Sequence, residues 1–165
     1  MLERGADVFD EPHFDVLAHG LQCGHLLRME HPEDAELAAA GLVHDIADIA
    51  SPHDHAQHDR RGAALVEPLL GRRVAKLVGA HVTAKRYLVA TEPAYRDGLS
   101  TRSVDTLLEQ GNPLTPRECA ELEADPDVAQ IVALRRADER AKDPSARVPG
   151  LEAWRSLLDR LIARS

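Results

Sequence analysis

The stretch LAAAGLVHDIADI, residues 37–49, decides the reading of this chain. Leu37, Ala40, Leu42 and Val43 carry an apolar helix up to the adjacent pair His44-Asp45. An imidazole beside a carboxylate gives one metal ion a nitrogen ligand and offers an oxygen that can bridge to a second ion. His19, His58, His81 and Asp138 are the residues that can join the pair in a two-metal site.

The rest of the composition agrees with a metal site and excludes several other classes. Nine histidines stand against one Trp, two Tyr and two Phe, and histidine is the commonest transition-metal ligand. A length of 165 residues predicts a single domain over 1–165, able to bury a core without staples. Lys and Arg total 20 against 28 Asp and Glu, a formal charge of -8, which argues against a nucleic-acid or anionic-membrane binder. Cys23 and Cys119 form no CxxC pattern, so neither a thiolate zinc site nor a disulfide scaffold is signalled and a reducing cytoplasm is expected. No apolar run approaches the roughly 20 residues that span a bilayer, and the acidic start MLERGADVFDE does not read as a signal peptide.

Apolar positions recur at helical spacing almost everywhere, with no sustained alternation, so the predicted class is all-α. Helices are expected over about 13–30, from 33 toward His44-Asp45, and, beyond the SPHDH loop at 51–55, a third through Gly62, Ala63 and Ala64 until Pro68 ends the pattern. Others are expected from 72 through Tyr87, over 100–110 and 116–123, from 126 into Asp138 with Asp125 as cap, and over 151–162. Four separated histidines on such helices can face one axis of a bundle, where metal sites are built from inward-pointing side chains. Taken singly, each of them also reads as an ordinary buried or surface histidine.

The order His, His-Asp, His, His, Asp resembles the HD-domain metalloprotein superfamily. Within it, the likeness is to the phosphonate-degrading mixed-valent diiron oxygenases related to myo-inositol oxygenase. It is carried by HGLQCG at 19–24, GLVHDIADI at 41–49, HDRRGAAL at 58–65, AHVTAKRYL at 80–88, LSTRSVDTLLEQGNP at 99–113 and LRRADERAK at 134–142. The resemblance implies a helical bundle with a dinuclear centre in its core. His19, His44, Asp45 and Asp138 would hold one iron, with Asp45 bridging to a second held by His58 and His81. It further implies that Lys85, Ser103 and Arg135 contact the phosphonate of a small hydroxylated substrate, and that an Fe(II)/Fe(III) pair uses dioxygen to release phosphate.

Spacing adds that Lys85 follows His81 by four and Arg135 precedes Asp138 by three, so each shares a helix face with its ligand. Without the motifs both would read as solvated charges. Two positions depart from the family pattern: Phe9 stands where a tyrosine is usual, with Asp10 and Glu11 out of register, and Asp48 stands where a histidine is usual. Asp48 as a general base keeps a second reading open, a phosphohydrolase with Mn or Mg at the same ligands. A third is a non-catalytic sensor. His25, His31, His53 and His55 have no assigned role, with the last two either surface residues or a gate over the site, and Cys23, after Gln22, reads as core packing. The oligomeric state has no sequence signal.

Overall fold

The computed structural model describes residues 1–11, 14–50, 57–99 and 101–164, with side chains other than those at 7, 9–11, 14 and 102. Helix α1 (Val16–Glu30) starts where the Asp15 side chain accepts a hydrogen bond from the Ala18 amide at 2.7 Å. It ends at His31, whose successor Pro32 cannot continue the helix. Helix α2 (Ala35–Val43) is capped in the same way by Asp34, which accepts from Leu37 at 3.0 Å, and everything from Leu37 to Val43 is buried.

These two helices form the most extensive pairing in the fold, and glycine is what lets them meet. A Cβ on Gly20 would lie 2.4 Å from the Leu42 carbonyl oxygen, and one on Gly24 would lie 2.7 Å from the Trp154 ring. Bare backbone at both positions lets α1 lie directly against α2, which brings His19 within reach of the HD pair.

After α2 the chain turns through His44 and Asp45 into the short α3 (Ile46–Ala50). Helices α4 (His58–Leu70) and α5 (Arg72–Thr91) form a hairpin, turning at Gly71 with φ of 86°, a conformation suited to glycine. Pro68 does not end α4 as the sequence suggests. It removes one donor near the C-terminus, and the Gly71 amide still closes the last turn on the Glu67 carbonyl at 3.0 Å. The short α6 (Pro93–Asp97) and α7 (Thr101–Glu109) then lead to α8 (Pro116–Glu123), which opens on a Thr115–Glu118 capping box.

Helix α9 (Val128–Arg140) starts two residues later than expected, because the Asp125 carboxylate accepts from the Asp127 amide and holds a turn there instead of a cap. Arg73 on α5 clamps this region, donating to Asp34 at 2.7 and 2.8 Å and to Asp127 at 3.0 Å. A 3-10 turn (Leu151–Trp154) precedes α10 (Arg155–Ile162).

The class is all-α. Among the described residues the one departure is a small antiparallel pair, β1 (Phe9–Glu11) with β2 (Phe14–Asp15), behind a 3-10 turn at Leu2–Asp7. Extended backbone runs up to the Asp15 cap, so α1 starts three residues after the predicted His13, itself outside the described residues. Leu27, Leu37, Leu77, Leu88, Ile131, Leu134 and Trp154 fill the core where α1, α2, α5 and α9 converge. Burying each such side chain contributes about 1.5–3 kcal/mol. Among the described residues no helix is long and apolar enough to cross a membrane.

Candidate metal centre

Five elements deliver the six residues expected as ligands. His19 comes from α1, His44 and Asp45 from the turn after α2, His58 from the first position of α4, His81 from α5 and Asp138 from α9. All are buried except Asp45, whose side chain is 16 % exposed.

Asp45 divides the donors into two groups. Its Oδ2 lies 3.2 Å from His44 Nε2 and 3.6 Å from His19 Nε2, while Asp138 Oδ1 lies 3.1 Å from His19 Nε2 and 3.7 Å from His44 Nε2. Its Oδ1 lies 3.6 Å from His58 Nε2 and 3.7 Å from His81 Nε2, which are 2.9 Å from each other. Metal–nitrogen bonds of about 2.1 Å place neighbouring donors of one ion roughly 3.0 Å apart, so both groups have the spacing of donors around an ion. His19, His44 and Asp45 could hold one cation with Asp138 beside them, and Asp45, His58 and His81 a second.

The ring orientations fit the same reading. His19 Nδ1 faces the Ala141 carbonyl at 3.0 Å, His44 Nδ1 that of Gly41 at 2.9 Å and His81 Nδ1 that of Val78 at 2.7 Å. Donating the Nδ1 proton to a carbonyl leaves Nε2 with its lone pair toward the centre, as a metal ligand requires. His44 Nε2 is buried without a hydrogen bond that meets normal geometry, which in a native core calls for an explanation such as an ion. Gln22 steadies the rim by donating to the Asp143 carbonyl at 2.8 Å, just beyond the Ala141 that orients His19.

The electrostatics also ask for positive charge. Burial favours the neutral form of both carboxylates, yet His44 holds Asp45, and Arg135 holds Asp138, well below the usual carboxylate range. Burial lowers His44, but Asp45 and the neighbouring acids push it well above an ordinary imidazole. His81, by contrast, is driven to about 3 by burial and by His58, so it stays a neutral imidazole. Two ionised carboxylates in a dry core need compensating cations: Arg135 serves Asp138 and a proton on His44 serves Asp45, a proton that a metal ion at this position would replace. Cys23, fully buried behind the centre, is raised to about 12 by burial, and its protonated thiol packs in the core as expected.

Beside the donors lies a second polar cluster. Arg135 donates through Nε to the Tyr95 hydroxyl at 2.7 Å, through Nη1 to Asp138, and through Nη2 to Glu139 and to Ser103 Oγ at 3.2 Å. Lys85 is 2 % exposed and donates to Thr106 Oγ1 and Gln110 Oε1, both at 2.8 Å. Burial first, and Arg135 second, lower its ammonium to about 7. Arg135 and Lys85 are therefore buried, not the solvated charges that their residue types alone suggest.

Sequence reading missed Tyr95, Thr106, Gln110, Glu139 and Lys142. Thr106 and Gln110 follow Ser103 by three and seven, and Glu139 and Lys142 follow Arg135 by four and seven, a helical signal that could have found them. Tyr95 carries no such signal. Asp48 is buried on α3 but joins neither donor group among the described residues. His25 and His31 are only partly buried and join neither group. His53 and His55, with the rest of the loop at 51–55, lie outside the described residues, as do the side chains of Phe9, Asp10 and Glu11.

Comparison with known proteins identifies the family of the chain. Residues 16–163 match the HD domain model. The chain is 33 % identical over 174 residues to hydroxymethylphosphonate dioxygenase of Gimesia maris, covering 100 % of this chain and 86 % of that protein. It is 31 % identical to [1-hydroxy-2-(trimethylamino)ethyl]phosphonate dioxygenase (glycine-betaine-forming) of Leisingera caerulea, covering 96 % of this chain and 85 % of that protein. With the histidine–aspartate pair at its centre and the family match running through nearly every helix, the chain belongs to the HD-domain family.

Proposed function

We propose that this chain, as a single HD unit over 1–165, is a diiron oxygenase that cleaves the C–P bond of a small 1-hydroxyalkylphosphonate. The observation that carries the reading is the pairing of the Asp45-divided donor set with a buried Arg135–Ser103 pair, linked through Asp138, beside which Lys85 is also buried. The names of the two relatives, similar over nearly the whole chain, support the substrate class. His19, His44, Asp45 and Asp138 would hold one iron and Asp45, His58 and His81 the other. A mixed-valent Fe(II)/Fe(III) pair held there would supply one-electron redox chemistry toward dioxygen.

The chain's own residues bind and orient the substrate. Arg135 and Ser103 offer the phosphonate N–H and O–H donors, a setting in which a guanidinium's planar fork suits a tetrahedral oxyanion. Lys85, poised near neutrality, takes up a proton at Nζ as the anion arrives and holds it as an ammonium. Burial of the cluster excludes water, which strengthens each of these contacts. With dioxygen as oxidant, the C–P bond breaks, the carbon leaves oxidised and the phosphorus leaves as phosphate.

A second reading is a phosphohydrolase using Mn or Mg, and it is favoured by Asp48, a buried carboxylate shortly after the HD pair. Metal analysis and spectroscopy separate the two. The oxygenase reading expects iron in the aerobically purified protein and a mixed-valent paramagnetic resonance signal on partial reduction, perturbed by hydroxymethylphosphonate. An iron-free protein that is fully active with manganese would establish the hydrolase instead.

A further inference from the structure

We propose that the Glu139 carboxylate is an internal stand-in for the substrate's anion, filling the anion pocket at rest and leaving it when a phosphonate binds. This rests on the reading of Arg135 and Ser103 as anion ligands, and it assigns Glu139 and Lys142 a part in specificity.

Three kinds of donor converge on this one carboxylate. Arg135 Nη2 donates to Glu139 Oε2, Ser103 Oγ lies 3.2 Å from the same oxygen, and Lys142 Nζ lies 3.5 Å from Oε1. Lys142 also reaches Ser103 Oγ at 3.3 Å. A guanidinium, a hydroxyl and an ammonium around a small space are what a tetrahedral oxyanion seeks. The other edges of Arg135 are committed, Nε to Tyr95 and Nη1 to Asp138. Nη2 is the edge left to meet a ligand, and Glu139 is on it.

The carboxylate has somewhere to go. Glu139 also lines a surface cavity of about 570 Å³ together with Tyr95, His31, Arg136 and Arg140. Arg136 and Arg140 on its wall are roughly half exposed and already pair with Glu92 and Glu30, so a displaced carboxylate turns into solvent-facing space and needs no new partner there. A phosphonate and Glu139 cannot share the pocket, because like charges a few ångströms apart repel. A dianionic phosphonate with three oxygens replaces one carboxylate and gains contacts. A monoanionic carboxylate ligand merely exchanges like for like and gains little, so Glu139 selects for phosphonate.

The test is calorimetric titration of the metal-loaded full chain with methylphosphonate, comparing wild type with Glu139→Gln, Glu139→Asp and Arg135→Gln. Removing the internal competitor should tighten binding at least about tenfold in Glu139→Gln, the scale of one charge-assisted hydrogen bond. Glu139→Asp keeps the charge but loses the reach, so it should tighten binding as well. Unchanged or weaker binding in Glu139→Gln overturns the proposal, and wild-type affinity in Glu139→Asp reduces Glu139 to through-space repulsion and overturns it too. If wild type does not bind, or Arg135→Gln binds as well as wild type, the anion pocket itself is misassigned and the proposal falls with it.

Discussion

Arg135 and Asp138 stand one turn apart on α9 and are hydrogen-bonded from Nη1 to Oδ2, while the other oxygen of Asp138 faces His19 at 3.1 Å. The residue proposed for substrate recognition therefore also orients a proposed metal ligand. Helical spacing alone places them on one face, but this contact joins the two sites.

It follows that Arg135→Gln should impair both functions. Partners that orient a ligand typically contribute 10–100-fold to metal affinity. Titration with limiting iron should show a loss on that scale together with a raised KM. Unaltered metal affinity would mean that Asp138 is held by other contacts.

Lys85 is predicted to behave differently, since its hydrogen bonds run to Thr106 and Gln110 and not to a ligand. Lys85→Met should retain both metals and raise KM about tenfold or more, from the loss of about 1.5–3 kcal/mol of charge-assisted bonding. Collapse of metal content in Lys85→Met would show that the lysine is structural.

The same lysine makes stability depend on pH. Its pKa is lowered from 10.5 in the unfolded chain to about 7, so between those values the folded form binds fewer protons than the unfolded one. Stability from this group thus rises as pH increases from 7 toward 10.5, and its burial is most unfavourable at and below 7. Thermal melts should show that the stability of Lys85→Met relative to wild type is greatest near neutrality and declines toward pH 10. A constant difference across that range would contradict the buried ammonium.

The close crossing of α1 and α2 gives a prediction away from the chemistry. Gly20→Ala forces a methyl against the Leu42 carbonyl and should destabilise the fold by about 1–3 kcal/mol. For a chain of this size that corresponds to a fall in Tm of roughly 2–4 °C per kcal/mol. His19 should be displaced from the HD pair, so metal affinity should fall as well. An unchanged Tm would mean that the helices separate without strain.

Much of this was legible in the sequence because helices write their faces at a fixed period. His44-Asp45 at the end of an apolar run, and Arg135 one turn before Asp138, needed only that period to be placed. The features that were not legible depend on contacts between distant segments. Tyr95 reaches Arg135 across 40 residues, and Gln22 reaches Asp143 across 121. Pro68 misled because a proline near a helix C-terminus removes a single bond, which the following turn at Gly71 tolerates. Helix α6 was missed because five residues are too few to show a period.

The shared carboxylate makes metal stoichiometry informative. Asp45→Ala should lose both ions, because its two oxygens face different donor groups, whereas His58→Ala should empty mainly the second position. Elemental analysis reads both outcomes, and a full complement in Asp45→Ala would remove the dinuclear account.

Oxidative cleavage makes phosphate release depend on dioxygen. Iron-loaded protein given hydroxymethylphosphonate should release phosphate in air, consume dioxygen in step with it, and stop under anaerobic conditions. Equal phosphate release without dioxygen, sustained by manganese or magnesium, would contradict it.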